Sequence, residues 1–214
     1  HNPSLTLRVA KTLGFRQNSR CPIRKVAFMI TVVSGLPRSG TSLVMQMLAA
    51  GGFPILSDEL RPADEDNPRG YLEFGKVKSL EQDSAWMLQA EGKAVKIISF
   101  LLPKLPSNFE YRVIFLRRDL NEVLQSQEKM LSRRSQPPGP PADVMAAHYQ
   151  NHLKAVDTWL SGQPNVQLLN VDHAQLIQTP ARIATAICEL LQFELDPDKM
   201  ISCVDPDLHR QKAS

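Results

Sequence analysis

The amino-acid sequence predicts an α/β fold, a three-layer sandwich in which helices cover both faces of a mostly parallel sheet. Short apolar or β-branched runs alternate with longer amphipathic segments, which is the pattern of β-α-β units. The chain of 214 residues is 43% hydrophobic and 22% charged, as in an ordinary globular domain. No apolar run approaches the ~18 residues of a membrane-spanning helix, so we expect no transmembrane segment.

The basic residues are unevenly distributed along the chain. Residues 1–28 hold six of the 25 basic residues and no Asp or Glu, which leaves 19 basic and 22 acidic residues in the remainder. We expect residues 1–28 to be a basic arm outside the domain and residues 29–214 to form a single domain. A transit peptide, a nucleic-acid-binding arm and a membrane-surface segment are the alternatives for such a stretch. The charge alone does not indicate a nucleic-acid partner, and we expect none.

The three cysteines are widely spaced and form no Cys-x-x-Cys pair. Their odd number and their spacing argue against a disulfide framework and against a zinc site. The sequence therefore predicts a cytoplasmic protein without a metal. The oligomeric state stays open, with a homodimer as one option.

The first predicted strand and helix frame a short loop. Residues 30–35 are mostly apolar or β-branched up to a glycine and predict a buried strand. Residues 41–50 have helical spacing, and the two glycines that follow predict the end of the helix. The loop between them faces the free amides and the positive dipole end of the helix, and Gly35 and Gly40 allow a ligand to approach its backbone. This arrangement predicts a phosphate-binding site.

The next segment contains a polar loop between two apolar stretches. Residues 53–56 predict at most a short edge strand, because Pro54 lacks the amide that a central strand needs. The charged, proline-containing stretch 57–70 predicts a loop long enough to be functional. Residues 72–90 carry apolar side chains at helical spacing, and residues 94–98 predict the second strand.

The second half of the chain repeats the alternation. Residues 111–117 predict the third strand, after which Asp119 is placed to cap a helix. The stretch 133–141 contains four prolines and predicts a loop. Residues 142–161 predict a long amphipathic helix. Five of its apolar residues are predicted to form the buried side: Val144, Ala147, Leu153, Val156 and Leu160.

The last predicted elements lie between residues 166 and 191. Residues 166–170 predict the fourth strand, and Pro180 opens a helix in which it occupies the first turn. Residues 194–214 show little periodicity and predict a mixed tail. His148 and His152 lie four positions apart on the preceding helix, a spacing that also suits metal binding. No third ligand is in view, so they predict a polar helix face.

Basic residues follow several of the predicted strands. The carboxyl ends of parallel strands share one edge of the sheet, and ligands bind there. Lys96 and the pair Arg117 and Arg118 are therefore expected to lie near the loop after the first strand. Their convergence predicts an anionic ligand.

The loop departs from the nucleoside-triphosphate pattern G-x-x-x-x-G-K-[ST]. Gly35 and Gly40 have the right spacing, but Thr41 stands where the phosphate-binding lysine belongs. Asp172 is the only strand-end carboxylate in view for magnesium. A nucleotide kinase or NTPase is therefore a disfavoured alternative, and a non-catalytic nucleotide-binding module is another.

Two motifs resemble those of sulfotransferases that use 3′-phosphoadenylyl sulfate (PAPS). Residues 37–42 fit the family's phosphosulfate loop, P-[KR]-[ST]-G-T-[TS], at every position. The second family signature is an arginine at a strand end and a serine eight residues later, which Arg118 and Ser126 match. Arg117 is the competing arginine, since neighbours on a strand point in opposite directions. The resemblance implies a fold like that of the P-loop NTPases, with PAPS as co-substrate.

The resemblance also implies roles for individual residues. The residues implied to bind the donor nucleotide are Pro37, Arg38, Ser39, Gly40, Thr41, Ser42, Leu43, Arg118 and Ser126, with the last two on its 3′-phosphate. Arg38 and Lys96 would contact the reacting phosphosulfate. The activity implied is transfer of a sulfuryl group to the hydroxyl or amine of an unidentified acceptor, with release of adenosine 3′,5′-bisphosphate (PAP).

The base that takes the acceptor proton has two candidates. The chain looks unlike the cytosolic phenol and steroid branch, because Lys96 is followed by two isoleucines where that branch has Thr and His. It resembles more the tyrosylprotein and bacterial branch, whose loop uses Arg and whose base is a Glu. Glu59 lies 21 residues after Arg38, as in that branch, and is the first candidate. Glu73 is the second.

Overall fold

A four-stranded parallel sheet forms the centre of the molecule. The structure is a computed structural model that describes residues 29–58, 64, 70–137 and 139–205. The strands are β1 (Ile30–Gly35), β2 (Ala94–Lys96), β3 (Tyr111–Arg117) and β4 (Val166–Asp172). Their spatial order is β2-β1-β3-β4, and each pairs with its neighbours in parallel. The predicted α/β fold with a parallel sheet is confirmed.

Helices account for most of the remaining described chain. The α-helices are α1 (Thr41–Ala50), α2 (Leu120–Arg133), α3 (Ala142–Ser161), α4 (His173–Gln178), α5 (Pro180–Leu191) and α6 (Pro197–Ser202). Three 3₁₀ helices span Gly75–Ser79, Ala85–Ala90 and Ser99–Lys104. Aspartates cap α2, α4 and α6 by accepting backbone hydrogen bonds. Within the described ranges, no helix is both long and apolar enough to cross a membrane.

Two hydrophobic clusters cover the two faces of the sheet. Neighbouring side chains on a strand point to opposite faces, so Val33 and Val32 of β1 belong to different clusters. Val33 packs in the cluster with α1, α5 and α6. Val32 packs in the cluster that contains Trp86 and the C-terminal half of α3, through Val156 and Leu160. The sheet is thus the middle layer of three.

The strand register brings the predicted basic residues to one edge. Val33 pairs with Lys96, and Gly35 pairs with Leu116, two positions before Arg118. Arg117 pairs with Asp172 at the end of β4. The loop after β1 therefore lies between the end of β2 and the end of β3, and Lys96 and Arg118 lie near it as predicted.

Three predicted elements differ from the structure. Residues 72–90 form two short 3₁₀ helices instead of one α-helix. Between the two helices, the Asp83 side chain accepts a hydrogen bond from the Ala85 amide. Residues 53–56 contribute a single bridge, between Ile55 and Ala94, where an edge strand was the prediction. The predicted tail contains α6, which Asp196 caps through the Lys199 amide.

The buried face of α3 also differs from the prediction at its first turns. Val144 and Ala147 are exposed, whereas Tyr149 is buried. Tyr149 packs with Leu36 and Val123, in a third small cluster beneath α2. Val156 and Leu160 are buried as predicted. The helix therefore turns a different side to the protein at its N-terminal end, where it meets α2 instead of the sheet.

Candidate functional site

The loop between β1 and α1 depends on two glycines. Gly40 has a φ of 99°, in the left-handed region, and a Cβ there would lie 2.7 Å from Cδ2 of His173. A Cβ on Gly35 would lie 2.5 Å from the Ser39 hydroxyl oxygen and 2.9 Å from the Leu116 carbonyl oxygen. Arg38 is also left-handed, with a φ of 68°. The loop is thus folded tightly against the end of β3 and the start of α4.

Several hydrogen-bond donors of this loop are available to an anion. No side chain among the described residues caps the N-terminus of α1, and its first intrahelical bond runs from the Val44 amide to the Gly40 carbonyl. The amides of Thr41, Ser42 and Leu43 therefore precede the helical ladder. Ser39 is 1% exposed, and its hydroxyl has no hydrogen-bond partner among the described residues. Such donors at a helix N-terminus fit the oxygens of a phosphate or phosphosulfate.

Two arginines connect the loop to β3 and α2. Arg38 Nε donates to the Ser126 hydroxyl at 2.9 Å, and Arg118 Nη1 donates to the Arg38 carbonyl at 2.9 Å. Arg118 Nε also donates to Glu122 Oε2 at 2.9 Å, and both side chains of this ion pair are little exposed. The structure therefore brings together both predicted phosphate motifs, although about 80 positions separate them in the sequence.

The side chain of Arg117 points away from the loop. Arg117 Nε donates to the Asn170 side chain at 3.2 Å, and its Nη2 contacts the Asp157 carboxylate on α3. Its guanidinium lies 4.4 Å from the centroid of the Phe115 ring. Of the two strand-end arginines, Arg118 is thus the one beside the loop.

Lys96 is buried at the end of β2, and its Nζ contacts oxygens of three described residues. Its Nζ lies 3.2 Å from the Ser42 hydroxyl, 2.6 Å from the Tyr71 carbonyl oxygen and 3.0 Å from Glu73 Oε1. Ser42 belongs to the first turn of α1, so the ammonium group lies next to the loop. This geometry differs from that of a lysine that only extends its charge into solvent.

Of the two predicted bases, Glu73 lies among the described residues and Glu59 does not. Glu73 is brought next to Lys96 by the ion pair described above. Glu59 lies outside the described residues. Its neighbour Asp58 donates from its backbone amide to the Glu73 carbonyl at 3.1 Å, so residue 58 lies beside Glu73.

Two histidines at this edge of the sheet have no role in the predicted site. His173 opens α4 and packs against Gly40. Its position follows from Asp172, which ends β4 and caps α4 through the Gln175 amide instead of standing free for a metal. In the sequence, an aspartate at the end of a strand and directly before a helix indicated that the next residue, His173, lies at this edge.

His152 is the other of these two histidines. Its Nε2 lies 2.8 Å from the Ser99 hydroxyl, and its ring stacks on Phe100 with centroids 3.7 Å apart. Burial lowers the pKa of His152, and the charge of His148 lowers it further. His148 is exposed, whereas the ring of His152 on the predicted polar helix face is half-buried. No sequence pattern links His152 to Ser99, which is 53 positions away.

Comparison with known proteins identifies solved structures that share the fold of this chain. Neither a scan against protein-family models nor a search of curated proteins finds a match. Among solved structures, the sulfotransferase domain of the Synechococcus PCC 7002 olefin synthase has a TM-score of 0.52 at 18% identity, covering 86% of this chain and 83% of that domain. The sulfotransferase domain from the curacin biosynthetic pathway has a TM-score of 0.52 at 18% identity, covering 89% and 80%.

A third solved structure agrees with these two. Sulfotransferase STF1 from Mycobacterium tuberculosis H37Rv has a TM-score of 0.52 at 14% identity, covering 85% of this chain and 72% of that one. At such identities the likeness concerns the arrangement of the backbone. The chain therefore has the fold of the sulfotransferases.

Proposed function

We propose that the protein is a PAPS-dependent sulfotransferase, which moves a sulfuryl group to an acceptor hydroxyl or amine and releases PAP. The contact of Arg38 with Ser126, next to that of Arg118 with the Arg38 carbonyl, carries this proposal. A nucleotide with phosphates on both its 5′ and 3′ oxygens needs two sets of donors, and a helix N-terminus and an arginine at a strand end can supply them. The contact between Arg118 and the loop, on a fold shared with sulfotransferases, supports this pairing.

We assign the donor's charged groups to separate parts of the site. The 5′-phosphosulfate is held by residues 37–43, through the amides of α1 and the hydroxyls of Thr41 and Ser42. The 3′-phosphate is held by Arg118 and Ser126. The hydrogen bonds of Arg118 to described residues use Nε and Nη1, so a planar guanidinium already fixed by Glu122 can present Nη2 to a phosphate.

The transfer step is a displacement at sulfur. A bond forms between the acceptor oxygen and sulfur while the bond from sulfur to the bridging phosphate oxygen breaks, and its electron pair stays on PAP. Arg38 and Lys96 stabilise the negative charge that develops on that oxygen. The acceptor proton passes to a carboxylate, Glu59 or Glu73. The ion pair of Glu73 with Lys96 supports its candidacy, because it keeps a carboxylate beside the reacting groups.

Two features refine the proposal. The loop arginine Arg38 and the isoleucine at position 98 favour the tyrosylprotein and bacterial branch over the cytosolic phenol and steroid branch. Among the described residues, Cys188 is a free thiol, which is typical of a reducing compartment, and we propose the cytoplasm as the location.

The proposal is tested by ligand stabilisation and by transfer. PAP at 100 times its Kd should stabilise the folded protein by about 2.7 kcal/mol, seen as a rise in Tm, while ATP with magnesium should have little effect because Thr41 replaces the P-loop lysine. Radiolabelled sulfate should then pass from PAPS to a member of an acceptor panel. Equal stabilisation by ATP and magnesium would favour an NTPase. Stabilisation by PAP without transfer to any acceptor class would favour a binding module.

A further inference from the structure

Tyr71 has no part in the chemistry above, yet it contacts Lys96 in two ways. Its backbone carbonyl oxygen accepts a hydrogen bond of 2.6 Å from Lys96 Nζ, and the same nitrogen lies over its ring, 5.5 Å from the centroid. Tyr71 is 4% exposed and Lys96 is 8% exposed. A cation is attracted to the face of an aromatic ring, and the attraction is larger when water is excluded. Tyr71 therefore helps to define where the ammonium group lies.

The backbone on either side of Tyr71 is folded into an unusual shape. Gly70 and Leu72 both have positive φ, 83° and 47°. A left-handed backbone is strained for leucine, and such strain persists where the surrounding contacts hold it in place. With Leu72 in this conformation, the Tyr71 carbonyl oxygen and the Glu73 carboxylate both reach Lys96 Nζ, at 2.6 Å and 3.0 Å.

Hydrogen bonds to other parts of the chain hold this segment at both ends. Gln46 of α1 donates from Nε2 to the Gly70 carbonyl oxygen at 2.9 Å. The Asp58 amide donates to the Glu73 carbonyl oxygen at 3.1 Å. Tyr71 thus lies between two anchored residues, and one anchor is the helix that begins at the phosphate loop.

The ring of Tyr71 contributes more to this arrangement than its hydroxyl does. The hydroxyl donates to Asp64 Oδ1 at 2.6 Å, and Asp64 Oδ2 lies 3.1 Å from Arg134 Nη2. The side chains of Asp64 and Arg134 are 40% and 35% exposed, and ion pairs at such exposure are screened by water and contribute little. The contact between the Lys96 ammonium and the Tyr71 ring is buried and is screened much less.

We propose that Tyr71 is a positioning residue for the transfer, and that its buried ring holds the Lys96 ammonium beside the phosphate loop. The contact of Lys96 Nζ with the Ser42 hydroxyl at 3.2 Å links this ammonium to the loop. The inference rests on the proposed function, in which Lys96 stabilises the charge on the bridging oxygen. That oxygen remains on the 5′-phosphate of PAP, so the position of Lys96 affects the affinity for PAP as well as the rate of transfer.

A double-mutant cycle on PAP affinity tests the inference without turnover. In calorimetric titration, Tyr71→Leu should weaken PAP binding by about 3- to 30-fold, the range of a cation–π contact from partly to fully desolvated. In a Lys96→Met background the same substitution should change the affinity by less than about twofold, because no ammonium is left to position. If Tyr71 only supported the fold, its loss would weaken binding equally in both backgrounds.

Two further variants separate the effect of the ring from an effect on the fold. Tyr71→Phe keeps the ring and should retain the PAP affinity within about twofold. Tyr111→Leu is the matched control, since Tyr111 is 1% exposed but lies at the opposite end of the sheet, where its hydroxyl donates to the Pro106 carbonyl oxygen. That variant should have a lower Tm and bind PAP normally.

The chemical step gives a second measurement. In transfer assays with PAPS, Tyr71→Leu should lower kcat while the KM for the acceptor changes little, because the ammonium acts on the bridging oxygen and not on the acceptor. Tyr71→Phe should restore kcat.

Nuclear magnetic resonance measures the contact in the wild-type protein and does not depend on the folding of a Tyr71 variant. In protein with isotopically labelled lysine, the signal that disappears in Lys96→Met belongs to Lys96. The protons next to its ammonium should be shifted upfield of those of the other lysines by the ring current of Tyr71. A Lys96 signal at the ordinary lysine position would contradict the contact.

The outcomes distinguish this inference from the proposed function. The positioning role fails and the proposed function stands if PAP binds the wild type but Tyr71→Leu binds PAP normally, has the same effect with and without Lys96, or binds no more weakly than Tyr71→Phe. If PAP does not bind the wild type and no acceptor is sulfated, the proposed function fails and the positioning role fails with it.

Discussion

Arg38 Nε donates a hydrogen bond of 2.9 Å to the hydroxyl of Ser126, which is 88 positions away in the sequence. Arg38 adopts a left-handed backbone conformation, which costs a residue with a side chain about 1–2 kcal/mol. A hydrogen bond from a charged group contributes about 1.5–3 kcal/mol and offsets that cost. The contact thus holds the phosphate loop against α2 in the shape that the proposed donor requires.

Arg118→Ala should weaken PAP binding by about 10- to 100-fold, because a charged hydrogen bond to the 3′-phosphate is lost. Calorimetric titration with PAP measures the change. Arg117→Ala is the control, since Arg117 contacts Asn170 and Asp157 and does not reach the loop. An Arg118→Ala protein with unchanged affinity would show that the 3′-phosphate lies elsewhere.

Replacing the base should lower kcat by about 10²–10⁴-fold and leave PAP affinity nearly unchanged. The kcat values of Glu59→Gln and Glu73→Gln are to be measured with PAPS and one acceptor and compared with that of the wild type. We expect a fall of that size in one variant and less than tenfold in the other. Wild-type turnover in both would exclude a carboxylate base at either position.

Gly40→Ala should destabilise the protein more than Gly52→Ala. Both glycines have positive φ, near 99° and 90°, so each alanine carries the backbone cost of about 1–2 kcal/mol. A Cβ at Gly40 also meets His173 at 2.7 Å, whereas a Cβ at Gly52 meets nothing within 4 Å. Urea denaturation gives both free energies of unfolding. In a double-mutant cycle, His173→Ala should recover part of the difference, and equal losses at the two glycines would contradict the contact.

The stability of the protein should depend on pH through His152. Burial lowers the pKa of His152 below its ordinary value near 6.5, so the unfolded chain binds the proton more readily. Its contribution is therefore present above pH ~6.5 and is lost as the pH falls toward the folded-state pKa. His152→Gln should flatten the fall of Tm in that window. His148→Gln should flatten it less, because the charge of His148 is the smaller cause. An unchanged profile in His152→Gln would contradict the burial of this ring.

The parts of the site that the sequence predicted are those encoded over short distances. The strand, loop and helix around Gly40 follow one another directly, and Asp119 caps α2 as its position indicated. Arg118 and Ser126 lie eight positions apart on one strand-to-helix unit, so a local spacing fixes their relation. The parallel sheet then brings the two local units together at the carboxyl ends of its strands.

The parts that were missed depend on contacts between distant elements. Periodicity does not show that the Ser99 hydroxyl is hydrogen-bonded to the His152 ring. It also does not show that Lys96 forms an ion pair with Glu73. Val144 was predicted to be buried from the apolar pattern of α3, but the first turns of that helix pack on α2 through Tyr149. The direction in which a helix faces is decided by its neighbour, and a single sequence does not specify that neighbour.

The central position of β1 in the sheet has a consequence for folding kinetics. Both partners of β1 come from later in the chain, and Arg118 contacts the loop across 80 positions, so the donor site closes only after long segments of chain have been ordered. Contacts of such high sequence separation slow folding, because loop-closure entropy is lost before they form. A ligand that needs both motifs has no binding site in a transition state that lacks them. PAP should therefore slow the unfolding of the chain and leave its rate of folding unchanged.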